Sequence, residues 1–237
     1  MNHISMEAFS KWIDISCVKS TDTTKDVDQM IAAAKRYGFI CAFALPSMTP
    51  YLIQNLKGTC DTLIGGTVGF PSGCDTTDSK VFQARELLAM GCQKIDMVIN
   101  IGQLKSNQLD LVFQDIKAVV DICGTVPLKT ILEVTLLTKE EIIKASKLAE
   151  SAGASYIKTG TGWCKDPTLP EHIHLIRSSI QPNTKIKAAG GIRSLDTLLE
   201  MKQVGCDRFG ISTASALTIM NEAAALKRLS GNIFSSF

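Results

Sequence analysis

Short β-branched runs alternate eight times with longer amphipathic stretches along the 237 residues of this chain, and few folds accept that order. Strand-like runs cover 12–18, 40–45, 62–70, 94–100, 129–134, 155–159, 185–189 and 207–211. Helical periodicity covers 24–37, 48–56, 77–90, 109–122, 139–151, 169–178, 195–203 and 214–228. Four helix-to-strand junctions carry a glycine, which can end a helix in the left-handed conformation: Gly38, Gly91, Gly153 and Gly205.

This alternation predicts the α/β class. Strand-helix repetition gives right-handed crossovers and a parallel sheet, and eight such units in 237 residues fit a closed (β/α)8 TIM barrel. The alternative is an open doubly wound sheet, which typically has a G-x-G-x-x-G turn after the first strand. Here Val-Lys-Ser-Thr at 18–21 follows it, and that motif does not occur. No Pro/Gly/Ser-rich linker divides the chain, so we expect one barrel domain over 1–237.

The charge balance argues against nucleic-acid and membrane partners. With 25 basic and 23 acidic residues the net charge is +2, which gives no electrostatic footprint for a polyanion. The uncharged run 38–56 contains Pro46 and Pro50 and is too polar to span a membrane. Charged residues near the N-terminus interrupt any signal-like apolar segment, so we expect a cytoplasmic protein.

Cysteine and histidine spacing favours no metal site. The eight cysteines are scattered singly without a C-x-x-C pair, and we expect reduced, mostly buried thiols. His172 and His174 are two apart in a helical pattern, so they point to different faces, and no third ligand lies at a suitable spacing.

Two short loops have the composition of a phosphate site. Gly190-Gly191 follows the seventh predicted strand, and Gly210, Ser212 and Thr213 lie around the end of the eighth. Loops after strands seven and eight often hold phosphate in this fold, because glycines expose backbone N–H groups at helix N-termini. The alternative is tight packing of helix on strand.

Charged residues inside predicted strands suggest chemistry. Lys158 and Lys187 are one βαβ repeat apart and should face each other on neighbouring strands, while Asp96 and Glu133 supply acids from the fourth and fifth strands. A structural ion-pair network is the alternative. Burial and a neighbouring cation both lower a lysine pKa, which makes the amine nucleophilic. With a carboxylate to move protons, this pattern predicts a class I aldolase that acts on a phosphorylated aldehyde without metal or organic cofactor.

Several motifs resemble the deoxyribose-phosphate aldolases. They lie at 94–102 (KIDMVINIG), 156–162 (YIKTGTG), 187–193 (KAAGGIR) and 207–213 (DRFGIST), with support from 68–73 and 138–142, so the resemblance covers about 13–216. It implies a (β/α)8 fold, homo-oligomers, and reversible addition of acetaldehyde to glyceraldehyde 3-phosphate. It also implies that Lys158 forms the Schiff base, that Lys187 lowers its pKa and that Asp96 relays protons through a water. The phosphate-binding positions would be Thr161, Gly162, Gly190, Gly191, Gly210, Ser212 and Thr213.

Four positions depart from the family pattern. Gly160 and Trp163 alter the loop after the sixth strand, and Ile15 and Leu45 replace family residues that we expect near the acceptor. For Trp163 and Lys165 a contact with substrate and a surface-packing role are both open. The alternatives to the leading interpretation are the same imine mechanism on another sugar phosphate, a phosphate-binding barrel isomerase, and a non-catalytic relative.

Overall fold

The β-branched runs form a closed parallel barrel in the computed structural model, which describes residues 4–230. Each strand pairs with the next along the chain, and the first pairs with the eighth, so the predicted (β/α)8 barrel is confirmed. The strands are β1 Ile13–Cys17, β2 Cys41–Ala44, β3 Leu63–Val68, β4 Lys94–Val98, β5 Leu128–Ile131, β6 Tyr156–Lys158, β7 Lys185–Ala189 and β8 Arg208–Ser212.

Helices surround the barrel. They are α1 Met6–Ser10, α2 Thr24–Tyr37, α3 Thr49–Leu56, α4 Thr77–Met90, α5 Ile101–Lys105, α6 Leu109–Cys123, α7 Lys139–Ser151, α8 Pro170–Arg177, α9 Leu195–Gln203 and α10 Thr213–Ser230, with a 3-10 turn at Val134–Leu136. Helical periodicity did not predict α1, α5 or the 3-10 turn. Side-chain caps begin the two short helices, since Ser5 accepts from the Ala8 amide and Asn100 from the Gln103 amide. None of the helices in this part of the chain is long and apolar enough to cross a membrane.

Two strand ends differ from the prediction and affect the site. The fifth strand ends at Ile131 rather than 134, because Glu133 takes a left-handed conformation with φ of 56° and turns the chain out of the sheet. The eighth strand continues through Ser212, which the sequence placed in the following loop. Glu133, predicted within a strand, therefore lies in a turn, and Ser212, predicted in a loop, lies at the end of a strand.

Buried apolar side chains fill the layer between barrel and helices. Helix α2, for example, buries Val27, Met30 and Ala34, as its helical spacing requires.

Strand β3 contains two adjacent glycines with different neighbours. A Cβ on Gly65 would lie 2.2 Å from the Phe43 ring, and a Cβ on Gly66 would lie 2.9 Å from Leu87 of α4. The side chains of β2 and α4 thus occupy space that β3 leaves free on its two faces.

The eight cysteines are free thiols, as predicted, and five of them are buried: Cys17, Cys41, Cys92, Cys123 and Cys206. Burial raises their pKa values, for example that of Cys206 to about 12, so these buried thiols remain protonated.

Candidate active site

Five charged side chains meet inside the barrel: Asp14 of β1, Asp96 of β4, Lys129 of β5, Lys158 of β6 and Lys187 of β7. None is more than 6% exposed. Burying a charge is costly unless it is paired, so their mutual contacts decide whether each group is charged.

The two carboxylates hold the amines through short contacts. Asp96 Oδ1 lies 3.0 Å from Lys129 Nζ, and its Oδ2 lies 2.9 Å from Lys158 Nζ and 2.8 Å from Lys187 Nζ. Asp14 Oδ2 lies 2.7 Å from Lys187 Nζ and 3.6 Å from Lys129 Nζ. Lys158 and Lys187 are register partners on β6 and β7, as the sequence predicted.

Two carboxylates face three amines, so the network is neutral when one amine has lost its proton. Burial lowers the pKa of Lys158 to about 8; Asp96 opposes this shift, and Lys187 and Lys129 add to it. Burial also favours the neutral form of Lys129, but Asp96 and Asp14 outweigh it and raise its pKa. Despite burial, the three amines hold the pKa of Asp96 well below its ordinary value. Lys158 therefore deprotonates more readily than Lys129.

Lys158 borders a cavity of about 460 Å³ at the carboxyl ends of the strands. This volume suits a small organic molecule. The wall includes Lys187 and all the predicted phosphate-site residues: Thr161, Gly162, Gly190, Gly191, Gly210, Ser212 and Thr213. Asp96 is fully buried and meets the cavity through the amines of Lys158 and Lys187. The structure thus brings the predicted site residues together.

The left-handed glycines give the β6 and β7 loops their shape. Gly162, Gly190 and Gly191 have φ values of 82°, 99° and 80°. A Cβ on Gly191 would lie 2.4 Å from Pro167 Cβ, so the chain there has no room for a side chain. Arg193, which the sequence analysis did not single out, also lines the cavity and brings a cation beside these loops.

The hydroxyl groups of the predicted phosphate site already have protein partners. Thr161 donates both its amide and its hydroxyl to the Glu133 carboxylate. Ser212 bonds to the Ser215 hydroxyl, and the Thr213 hydroxyl lies 3.4 Å from Cys17 Sγ. Their roles toward phosphate remain predictions.

Glu133 has a different place from the one predicted. It follows β5 instead of lying in it, and its buried carboxylate anchors the turn at 160–162 through Thr161. A Cβ on Gly160 would lie 2.7 Å from Glu133 Oε1. The departure at Gly160 therefore makes room for this carboxylate.

The other departures separate into two groups. Trp163 lines the mouth of the cavity, where its Nε1–H donates to the Val18 carbonyl at 2.8 Å and its ring packs edge-on against Phe70. Ile15 is buried in the apolar core, and the cavity wall formed by the described residues includes neither Ile15 nor Leu45. The expectation that these two positions lie near the acceptor stays a prediction, although neither side chain forms part of this wall.

Besides Arg193, sequence reasoning missed four residues of the site. Asp14 and Lys129 carried a signal, since each is a charged residue inside a predicted strand. Phe43 and Thr67 line the cavity from β2 and β3 and had no such signal. The Thr67 hydroxyl is buried and has no hydrogen-bond partner within residues 4–230. His172, by contrast, caps α8 by accepting from the Leu169 amide.

A closed (β/α)8 barrel with a buried amine of lowered pKa at its carboxyl end has the architecture of a class I aldolase. The family model described as DeoC/LacD family aldolase matches residues 11–212, and the chain belongs to this family.

Relatives and solved structures agree with this assignment. Deoxyribose-phosphate aldolase of Sinorhizobium medicae is 46% identical over 214 residues, which cover 90% of this chain and 86% of the relative. A solved structure named "QR15, an Aldolase" has a TM-score of 0.86 at 30% identity and covers 93% of this chain and 98% of its own. The deoxyribose phosphate aldolase of Aeropyrum pernix, described as a unique tetrameric structure, has a TM-score of 0.83 at 25% identity, with coverage of 94% and 93%.

Proposed function

We propose that this chain catalyses the reversible cleavage of 2-deoxyribose 5-phosphate into acetaldehyde and glyceraldehyde 3-phosphate through an imine on Lys158. The observation that carries the proposal is the buried Lys158 amine, which has a pKa of about 8 and borders an open cavity. A lysine with the ordinary pKa would be almost entirely protonated at neutral pH and could not attack a carbonyl. The names of the curated relatives support the choice of substrate.

The reaction begins with attack of the neutral Lys158 nitrogen on the C1 aldehyde of the open-chain sugar. The C1 oxygen takes up protons and leaves as water, which gives a protonated imine. The C3 hydroxyl then loses its proton, the C2–C3 bond breaks, and its electron pair moves toward the iminium nitrogen to form an enamine. Glyceraldehyde 3-phosphate departs, C2 takes up a proton, and water releases acetaldehyde and restores the amine.

Lys187 and Asp96 serve these proton transfers from fixed positions. Lys187 is a cation beside Lys158, and both amines share Asp96 Oδ2. A proton can therefore move between the two amines along this carboxylate oxygen. Because three amines stabilise the Asp96 carboxylate, it stays ionised and holds both amines in place between proton transfers.

The phosphate group belongs in the loops after β6, β7 and β8. The left-handed glycines after β6 and β7 expose backbone N–H groups, and Arg193 adds a positive charge. Binding the phosphate remote from the reacting carbons fixes the carbonyl against Lys158 and so contributes to transition-state stabilisation.

Reductive trapping tests the imine. The protein is incubated with acetaldehyde and borohydride, and peptide mapping locates any ethylated lysine. We expect modification at Lys158, its loss in Lys158→Ala, and retention in Lys105→Ala, which removes an exposed lysine paired with Glu141. Wild-type protein that gains no ethyl group, or gains it at another lysine, would overturn the proposal and favour an isomerase or a non-catalytic relative.

A second candidate, the same chemistry on a different sugar phosphate, is favoured by Trp163. Its exposed ring lines the cavity beside Gly162 and is held there by the bond to the Val18 carbonyl. A panel of phosphorylated acceptor aldehydes, run with wild type and Trp163→Ala, separates the two. Glyceraldehyde 3-phosphate as the best acceptor supports the first candidate; a strong preference for another aldehyde supports the second.

We also propose that the chain forms homo-oligomers, because the A. pernix relative is described as a tetramer. Light scattering of the purified protein tests this, and a monomeric mass contradicts it.

A further inference from the structure

The ring of Phe43 faces two of the three buried amines. Its centroid lies 4.3 Å from Lys187 Nζ and 4.9 Å from Lys129 Nζ. Phe43 is 2% exposed and lines the cavity wall. On the neighbouring strand Gly65 is its register partner, and a Cβ there would lie 2.2 Å from Phe43 Cε1. The missing side chain at Gly65 thus gives the ring its place.

An aromatic face attracts a cation, and the attraction is stronger where water is excluded. It stabilises an ammonium and contributes nothing comparable to a neutral amine. Two carboxylates neutralise the charge of only two amines, so one of the three amines gives up a proton. The Phe43 ring therefore influences which amine that is.

The partners of the three amines are unequal. Lys187 contacts both carboxylates and the Phe43 ring. Lys129 has both carboxylates and the rings of Phe43 and Tyr156. Among the described residues Lys158 is paired with one carboxylate, that of Asp96. Loss of the Lys158 proton preserves all three ring contacts, whereas loss from Lys187 gives up one and loss from Lys129 gives up two.

We propose that Phe43 is a positioning residue that retains the protons on Lys187 and Lys129 and thereby assigns the neutral state to Lys158. The inference rests on the proposed imine function, which gives the neutral Lys158 amine its use. It also explains why an apolar residue occupies this place in a charged interior.

Besides Asp14 and Asp96, other titratable groups lie near the three amines. They are Cys41 from β2, Lys94 from β4, Tyr156 from β6, Lys185 from β7 and Arg208 from β8. Burial raises the pKa of Cys41, so this thiol stays neutral. A change confined to the Phe43 ring leaves all of these groups in the protein, so a shifted titration reports the ring.

Cation–π attraction of this kind corresponds to about a 2- to 30-fold preference for the charged amine. Weakening it lets Lys187 share the neutral state. The fully protonated network and the network with a neutral Lys158 keep the same ring contacts, so the effect appears above the midpoint. There the neutral fraction of Lys158 should fall by at most about 30-fold, and the apparent midpoint should move to lower pH.

Graded fluorination of the Phe43 ring tests the inference, because fluorine withdraws charge from the aromatic face while nearly preserving its size. Phenylalanine with one, two or three fluorines is placed at position 43. The Phe43→Leu variant keeps an apolar side chain there but removes the aromatic ring. The same analogues at Phe39, a buried ring that packs against Tyr37, control for fluorine itself. Two readouts are used: the pH profile of trapping with acetaldehyde, and carbon NMR titration of the lysine side chains.

We expect the trapping rate above the midpoint and the neutral population of Lys158 to fall stepwise with fluorine number, the midpoint to move to lower pH, and the Phe39 series to match wild type. Folded Phe43 variants with an unchanged trapping rate above the midpoint would overturn the inference, as would a Phe43→Leu variant that changes only KM for the donor. Absence of trapping in wild type would instead refute the imine function, and the NMR titration would still show which amine is neutral.

Discussion

Replacing Lys187 by leucine should abolish the neutral state of Lys158 at physiological pH. The variant keeps two carboxylates, Asp14 and Asp96, and leaves two amines, Lys129 and Lys158, so the buried charges balance with both amines protonated. The Lys158 pKa should then rise from about 8 toward its ordinary value of 10.5, which is an upper limit because burial still favours the neutral amine. At pH 7 the neutral fraction falls from about one in 11 to no less than about one in 3,000, which is a loss of up to about 300-fold.

The assay is the rate of borohydride trapping with acetaldehyde from pH 6 upward. In wild type the rate should rise through about pH 8, because the neutral amine is the reactive form. In Lys187→Leu the profile should move to higher pH and recover there. Lys187→Arg is the matched control, since arginine keeps the positive charge and should keep the low midpoint.

The leucine variant also leaves Asp14 with the longer Lys129 contact alone, so a stability loss of about 3–5 kcal/mol is expected, and folding must be verified by thermal unfolding. A folded Lys187→Leu variant with the wild-type midpoint would refute the charge-balance argument and return Lys187 to a purely structural role.

Four further outcomes are expected. Lys158→Ala should lose turnover in a steady-state assay while remaining folded, and measurable residual turnover would contradict the covalent mechanism. Gly191→Ala should raise KM for phosphorylated substrate or destabilise the fold by about 1–3 kcal/mol, because its Cβ meets Pro167; wild-type kinetics and melting would contradict the crowding. Gly160→Ala should displace the Glu133 carboxylate and raise KM for phosphorylated substrate while the pH midpoint stays, and unchanged KM would show that the turn tolerates the displacement. Thr67→Val should raise KM by about 5- to 10-fold if substrate uses the unpaired hydroxyl, the scale of one hydrogen bond; an unchanged KM would show that it does not.

The barrel could be predicted because its signals are local. Each β-branched run and each amphipathic stretch reports its own conformation, and eight repeats in order leave few topologies. The short helices α1 and α5 could not be predicted in this way, since a cap at Ser5 or Asn100 begins them and five residues are too few to show a period. The left-handed turn at Glu133 could not be predicted from the local sequence either, because tertiary contacts with Thr161 stabilise it.

The candidate site could be predicted in part. Lys158 and Lys187 are separated by one repeat, and a parallel register brings such residues side by side. Asp14 and Lys129 belong to the same network, but their role depends on distances across the barrel interior that no sequence spacing encodes. The Phe43 ring is a still stronger case, since an apolar residue in a strand looks like ordinary core until its neighbours are known.

The two halves of the chain contribute opposite charges to the buried network. Both carboxylates, Asp14 and Asp96, come from β1–β4, and all three amines come from β5–β7. A chain cut at the exposed Gly124, between α6 and β5, would yield one fragment with unpaired acids and one with unpaired bases. Neither fragment could bury these groups alone, so the two should fold only on meeting, and reactivity should return together with assembly.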